Sequence, residues 1–142
     1  AIYVNELLIR LLPEADEYSE LFKTYWHFIK NINHQSNPEK EYSLRIFENR
    51  LLQELGYGID FKDDIEGNPI KSNSLYNFIE DQGFIGQTEG KILGEILLNI
   101  ASSNQAPPSS EGLNTLKKLN RKRLKPLLGD KPLKSKELFF VN

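Results

Sequence analysis

The stretch of sequence that decides the fold lies at residues 113–140, LNTLKKLNRKRLKPLLGDKPLKSKELFF. If the first part of this stretch forms an α-helix, leucines line one face and cations line the opposite face. This pattern is typical of a helix that packs on a core. The leucines are Leu113, Leu116, Leu124 and Leu127, and the cations on the other side are Lys117, Lys118, Arg121, Lys122 and Lys125. Arg123 falls near the leucines, so we expect its stem to be packed and its guanidinium to be paired or to reach solvent.

Charge is distributed unevenly along the chain. Residues 113–142 carry nine Lys and Arg against Asp130 and Glu137, a net charge of +7, whereas residues 1–112 carry nine against eighteen acidic residues, a net charge of −9. An acidic body with a basic C-terminal end indicates a polyanionic or acidic partner for that end. The alternative is a solvated helix face without a partner, and the charge pattern alone favours the two about equally.

Length and composition limit the classes of function. A chain of 142 residues is long enough for one domain with its own core. It contains no Cys, which excludes disulfides, thiol catalysis and cysteine-bound metals. No apolar run approaches the ~18 residues of a membrane span, so we expect a soluble protein without a membrane partner. Because the chain starts at Ala1 without an initiator Met, we expect it to be a piece of a longer protein.

The apolar periodicity predicts a mainly α protein, with a single helical-bundle domain over residues 1–142 and a small irregular insert, closed by a hairpin, at about residues 58–87. Helices are expected at residues 2–12, 19–32, 37–55, 89–101 and 110–125, with a short last helix after Ser135. Their start signals are Asn37-Pro38-Glu39, Thr88 and Ser110.

Breaks in the pattern set the remaining boundaries. Gly56 suits a left-handed helix cap, and Pro126 should kink or end the basic helix before a turn at Gly129-Asp130. Within the insert, strands are expected at residues 75–79 and 84–87, joined by a turn at residues 81–83.

Three segments resemble the RecO family of bacterial recombination mediators. They are YVNELL at residues 3–8, the LRIFE…LL…ELGYG pattern within residues 44–58, and LKPLLGDKPLKSKEL at residues 124–138. The resemblance implies the C-terminal helical domain of that family, with the N-terminal OB-fold domain absent from this chain. Many members carry a four-cysteine zinc module at the position of the insert. Since this chain has no Cys, we expect no metal and no cofactor.

The resemblance also implies partners and a location. The expected partners are single- and double-stranded DNA, the acidic C-terminal tail of the single-stranded-DNA-binding protein SSB, the mediator RecR and, indirectly, the recombinase RecA. The expected location is the bacterial cytoplasm, in association with the nucleoid. Nothing in the sequence matches a P-loop, a nucleophile elbow or a glycine-rich dinucleotide turn, so we expect no enzymatic activity.

The candidate site residues form two groups. The resemblance places the SSB tail in a groove at Arg45, Phe47 and Asn49, because an arginine beside apolar side chains suits a carboxylate next to a ring. For Arg45 the alternative is a surface ion pair with Glu41 or Glu48. DNA or an acidic partner is assigned to the cations of the basic end: Lys117, Lys118, Arg121, Lys122, Lys125, Lys131, Lys134 and Lys136. The competing function is a helical adaptor that binds an acidic protein and never touches nucleic acid.

Overall fold

The described part of the protein, in a computed structural model, comprises residues 4, 6, 7, 10, 36–103 and 107–129. It contains three α-helices and one three-stranded antiparallel sheet, which confirms the mainly α class and the small hairpin. In chain order these are α1 (Asn37–Glu54), β1 (Leu75–Ile79), β2 (Gly83–Gly86), β3 (Ile92–Leu93), α2 (Gly94–Ala101) and α3 (Ser110–Leu128). Residues 4, 6, 7 and 10 are helical, in agreement with the first predicted helix. The helices expected at residues 19–32 and after Ser135 lie outside the described residues.

Both ends of α1 are fixed by local hydrogen bonds. Its N-cap is Ser36, one residue before the predicted Asn37, because Ser36 forms a reciprocal capping box with Glu39 and leaves the first helical turn to Asn37 and Pro38. At the other end Gly56 has φ of +90°, as predicted for a left-handed cap. The amide of Tyr57 donates to the carbonyl of Leu52 at 2.8 Å, which completes a Schellman turn.

The insert is organised by its sheet. Strand β1 lies at the centre, with β2 and β3 antiparallel on either side of it. The predicted hairpin is confirmed, and Asp81 adopts a positive φ of 63° in its turn. Phe84 of β2 is fully buried, with its ring centroid 5.4 Å from Phe61 and 5.7 Å from Phe78. This aromatic cluster belongs to a core that also contains Leu97 of α2 and Leu119 of α3.

The prediction of a helix from residue 89 is wrong at its start. Ile92 and Leu93 pair with β1 instead, and α2 begins at Gly94 with no side-chain cap, so Thr88 does not cap it. Gly94 explains why the strand can turn into a helix at this point. Its amide donates to the carbonyl of Ser74 at 2.8 Å, and a Cβ at this position would lie only 1.9 Å from the carbonyl oxygen of Lys71.

Helix α3 is capped one residue earlier than predicted, at Ser109 instead of Ser110, and it ends later than predicted. Its N-cap is Ser109, whose Oγ accepts from the amide of Gly112 and whose own amide donates to Asn99 Oδ1 of α2 at 3.0 Å. Pro126 does not end the helix, which continues to Leu128 and stops at Gly129. Proline removes one backbone hydrogen bond to the carbonyl four residues earlier. Since Lys122 and Pro126 are both exposed, we expect that carbonyl to be hydrated.

The three helices meet at α3, which packs against both α1 and α2. The fully buried apolar residues on these helices and on the first helical segment include Leu7, Phe47, Leu51, Leu52, Leu116 and Leu124. Arg10 donates from Nη2 to the carbonyl of Leu128 at 2.7 Å, so the first segment also binds the last carbonyl of α3. The burial of α3 on two sides decides which of its cations remain at the surface.

Candidate functional site

The exposed cations of α3 form a row along one side of the helix. Lys118, Lys122 and Lys125 are exposed and are called here the lysine row, while Arg121 at its edge is half-buried. At positions i, i+4 and i+7 they share one face and span about 10 Å along the axis. The sequence predicted this row. Lys131, Lys134 and Lys136 lie outside the described residues.

Lys117 does not share that face, and the prediction that it projects with the row is wrong. Lys117 is only 6% exposed, because α3 is covered by α1 on one side and by α2 on the other. The buried face of α3 is therefore wider than the stripe of leucines. Burial is the main effect on the pKa of Lys117 and lowers it. The positive charges of Arg45 and Arg121 also lower this pKa, whereas the negative charges of Glu41 and Glu48 raise it. Lys117 therefore belongs to the interior charges between α1 and α3.

Arg45 is enclosed between α1 and α3. It is 1% exposed, and its Nε lies 2.6 Å from Glu48 Oε1 while Nη2 donates to Glu48 Oε2 at 2.9 Å. Nη1 donates to Glu41 Oε1 at 3.0 Å. Both carboxylates that the sequence offered as surface partners are thus bound, and the pair with Glu48 is fully buried. A ligand carboxylate could reach this guanidinium only by displacing Glu41 or Glu48.

Phe47 and Asn49, the other two residues expected at the SSB tail, lie in different environments. Phe47 is 1% exposed and is part of the core. Asn49 is half-buried and lines an open groove, one helical turn beyond Arg45. The structure therefore does not bring the three residues together on one surface, and the tail-binding role of the set stays a prediction.

Asn120 connects the interior charges to the groove. This fully buried amide donates from Nδ2 to Glu48 Oε1 at 3.0 Å and to the carbonyl of Arg45 at 3.4 Å. Its Oδ1 accepts from Arg123 Nη1 at 3.2 Å. The sequence analysis did not single out Asn120. The available signal was one amide on the leucine side of α3, where a buried polar group must find partners.

Arg123 is held as the sequence predicted, with its head paired. Nη1 also donates to Asn49 Oδ1 at 3.0 Å, and Nη2 donates to the carbonyl of Tyr57 at 2.9 Å. Burial lowers the pKa of Arg123 to about 10, and the negative charges of Glu48 and Asp81 partly offset this effect by raising the pKa. The guanidinium therefore stays charged at neutral pH, with neutral groups as its hydrogen-bond partners.

The groove beside Arg123 has a volume of about 640 Å³ and is called here the Arg123 groove. Its walls come from the outer face of α1, the segment 58–62, the end of α2 and Arg123 of α3. Apolar lining is provided by Ile46, Ile59, Phe61 and Ile100, and positive charge by Arg50, Lys62 and Arg123. A lining that mixes these apolar side chains and cations with one carboxylate, Asp60, suits a ligand that carries a negative charge next to an apolar group.

The described residues offer neither a membrane span nor a metal site. No helix among them is both long and apolar enough to cross a membrane. They also contain no group of three His, Asp or Glu placed to hold a metal ion. The four-cysteine zinc module that the resemblance associates with this insert does not fit these residues, because the chain has no Cys and the insert packs around Phe84 instead.

Comparison with known proteins gives consistent matches over nearly the whole chain. A DNA repair protein RecO from Yersinia enterocolitica is 40% identical over 142 residues, covering 97% of this chain and 58% of the relative. The DNA repair protein RecO of Pseudoalteromonas translucida is 38% identical over 137 residues, covering 96% of this chain and 59% of the relative. The chain therefore spans less than two thirds of the length of the curated relatives it matches.

The family profile that matches is described as recombination protein O C terminal, and it covers residues 1–137. The three sequence segments that suggested this family all begin within that range, as do the whole of α1, the sheet, α2 and α3. The chain therefore belongs to the family of recombination protein O C-terminal domains.

Proposed function

We propose that this chain is the helical part of a non-enzymatic DNA repair and recombination mediator that binds DNA and the acidic C-terminal tail of SSB. The observation that carries the proposal is the family match over residues 1–137, together with a lysine row on the helix that bears one of the family's segments. The family resemblance adds cooperation with RecR to promote strand annealing and RecA loading in the cytoplasm, near the nucleoid.

The lysine row supports the DNA part of the proposal. Its three ammonium groups lie on one exposed face and carry no ion pair within the described residues. A row about 10 Å long can meet about three successive phosphates of one strand. A row made of lysines, which carry a point charge and no planar fork of donors, suits contact with the backbone rather than recognition of base sequence. We therefore expect binding to single- and double-stranded DNA that weakens steeply with salt.

The SSB-tail part of the proposal concerns the surface around α1. The residues expected from the family are Arg45, Phe47 and Asn49, and of these Asn49 lines an accessible groove. The ligand expected there is an acidic peptide that ends in an apolar residue with a free carboxylate. The apolar side chains and the cations that line the Arg123 groove support a site of this chemistry on this side of the domain.

A second candidate function is an adaptor that binds an acidic protein without nucleic acid. The Arg123 groove favours it, because a groove lined in part by apolar side chains can hold a peptide even if the lysine row binds nothing. In this case the lysines would be a solvated face, and DNA contact would belong to other parts of the longer relatives.

Fluorescence anisotropy with labelled single-stranded DNA, double-stranded DNA and an acidic peptide ending in phenylalanine tests the proposal. Binding of both DNA and peptide, with the DNA affinity falling steeply between low and moderate salt, supports the mediator. Binding of the peptide alone supports the adaptor. If the chain binds neither ligand at low salt, both candidate functions are rejected for this part of the protein.

A further inference from the structure

We propose that the insert binds an extended segment of another protein, with lysine or arginine beside an apolar residue, at the open edge of strand β2. The site is a groove of about 730 Å³, called here the insert groove, between the turn at residues 64–69, the turn at residues 71–74 and the end of β2. It shares no lining residue with the Arg123 groove and contains none of the lysine row. The proposal therefore goes beyond the function proposed above and does not rest on it.

The first argument is the backbone of Gly86. The amide of Gln87 donates to the carbonyl of Leu75 at 3.0 Å, so these two residues face each other as a hydrogen-bonded pair. Because such pairs alternate in an antiparallel sheet, the N–H and C=O of Gly86 point away from β1. The carbonyl of Phe84 points the same way and accepts from the amide of Ile65 at 2.8 Å, whereas Gly86 has no such partner among the described residues. The edge is thus covered at Phe84 and open at Gly86, where an added strand can pair.

The second argument is the surplus of hydrogen-bonding groups in the lining. The described residues provide no hydrogen-bond partner for the side chains of Asn68, Asn73, Ser74 and Thr88, which all line the groove. Amides and hydroxyls of this kind can both donate and accept. A peptide main chain offers one donor and one acceptor at each residue, so it can satisfy the edge of β2 and these side chains together.

Other classes of ligand fit the insert groove less well. Lys71 is the single cation that the described residues place in the lining, and Asp64 lines the groove as well, so a phosphate backbone finds no track of positive charge. The aromatic ring of the lining, Tyr76, is 3% exposed and offers no open face on which a base could stack. Leu75, by contrast, is 38% exposed and can contact an apolar side chain of a peptide.

The charge around the groove selects the kind of peptide. Residues 58–95 carry eight acidic residues against three lysines. Glu66 and Glu89 are exposed, lie within two residues of lining positions and form no ion pair with any described residue. Since complementary charge favours the encounter of two partners, the fitting segment carries lysine or arginine beside its apolar residue.

The test titrates the full chain, labelled with nitrogen-15, with three five-residue peptides blocked at both ends and observes its amides by NMR. One peptide alternates lysine with valine, the second has the same sequence with every amide N-methylated, and the third has glutamate in place of lysine. We expect the lysine peptide to shift the amides of Gly86 and of residues 64–69 most strongly. The methylated peptide should bind about tenfold more weakly or worse, because it cannot donate to the edge, and the glutamate peptide should also bind more weakly.

Gly86→Pro and Gly86→Ala form a matched pair of variants. Proline removes the N–H at the edge, whereas alanine keeps it and adds a Cβ at an ordinary distance of 3.6 Å from the ring of Tyr76. We expect Gly86→Pro to weaken binding of the lysine peptide about tenfold or more, and Gly86→Ala to bind it within about twofold of the unaltered chain. Equal affinity of the two variants would overturn the proposal.

The unaltered chain decides the matter if Gly86→Pro fails to fold by circular dichroism. Equal binding of the methylated and unmethylated lysine peptides would then overturn the proposal, as would the absence of shifts with the lysine peptide at millimolar concentration. Shifts at Gly86 on concentrating the chain alone would assign the edge to a second copy, and shifts there with a thymidine oligonucleotide would assign it to nucleic acid. Either result overturns the proposal, while the DNA and tail binding proposed above are measured with other ligands and stand or fall separately.

Discussion

The carboxylate of Glu48 lies against the guanidinium of Arg45, with Oε1 2.6 Å from Nε and Oε2 2.9 Å from Nη2, and both side chains are 1% exposed. A buried pair of this kind contributes little net stability relative to apolar residues, but removal of one partner leaves an uncompensated charge in the interior. The interface between α1 and α3 therefore depends on the side chain of Glu48 remaining in place.

Replacement of Glu48 by glutamine tests this dependence. We expect Glu48→Gln to lower the free energy of unfolding by about 3 to 5 kcal/mol, because the amide cannot balance the charge of Arg45. Glu41→Gln is the control, since Glu41 is 19% exposed and also pairs with Arg45; it should cost less than about 1 kcal/mol. Urea unfolding of both variants measures the difference, and equal losses would show that burial does not set the strength of the pair.

Charge reversal of the lysine row should weaken DNA binding without unfolding the domain. Because Lys118, Lys122 and Lys125 are exposed, replacing all three by glutamate should leave the thermal midpoint nearly unchanged. The slope of log K against log salt for double-stranded DNA should become shallower by as much as about 3. Lys71→Glu with Lys91→Glu alters two exposed lysines of the insert and serves as the control. Undiminished DNA affinity in the triple variant at low salt would remove the lysine row from the interface.

Gly94 should tolerate no side chain. A Cβ would lie 1.9 Å from the carbonyl oxygen of Lys71, so Gly94→Ala must separate α2 from the segment before β1. We expect a loss of about 1 to 3 kcal/mol or more in the free energy of unfolding. Gly58→Ala is the comparison, because its added Cβ would make only ordinary contacts with Gln53 at 3.5 Å. A Gly94→Ala variant as stable as Gly58→Ala would contradict the close approach seen at the start of α2.

Tyr42 should make the stability of the domain fall at alkaline pH. Its hydroxyl donates to the carbonyl of Ser103, and burial raises its pKa above 10.0. With the folded pKa above the unfolded one, the contribution is fully present below the unfolded value and is lost as the pH rises through the folded value. Tyr42→Phe should cost about 1 kcal/mol at neutral pH and make the alkaline decrease smaller. An alkaline decrease of the same size in Tyr42→Phe would assign it to other groups.

The insert should keep its fold without metal. Its core is the ring of Phe84 packed against Phe61 and Phe78, and the chain has no Cys to bind zinc. We expect a chelator to leave the thermal midpoint of the unaltered chain unchanged, whereas Phe84→Ala should lower the free energy of unfolding by about 3 to 5 kcal/mol. A lower midpoint in chelator would indicate a metal that contributes to stability.

The sequence was sufficient for those elements whose signals are local. The hairpin was predicted because Asp81 and Gly83 mark a turn between two short apolar runs, and both adopt positive φ. The end of α1 was predicted from Gly56 for the same reason. By contrast, Ile92 and Leu93 fit the apolar stripe of the following helix, so their pairing with β1 depended on a contact that no local pattern expresses.

The candidate site was less predictable because it depends on what covers each helix. Helical periodicity gives the direction of Lys117 but not the number of neighbours on that side, and two neighbours of α3 bury it. Likewise, Glu41 and Glu48 were recognised as partners of Arg45, but their spacing on one helix is the same in a surface pair and in a buried one. The Arg123 groove combines four separate parts of the chain, and no stretch of sequence contains it.

Helix α3 supplies Leu119 to the core of the insert, and the same helix packs against α1. Neither half can therefore open while α3 stays in place, and amide hydrogens of β1 and of α1 should exchange with solvent through one shared opening event. Force or strain applied to the lysine row by a bound strand would reach both halves together. The helix that carries the lysine row thus governs the cooperativity of the whole described unit.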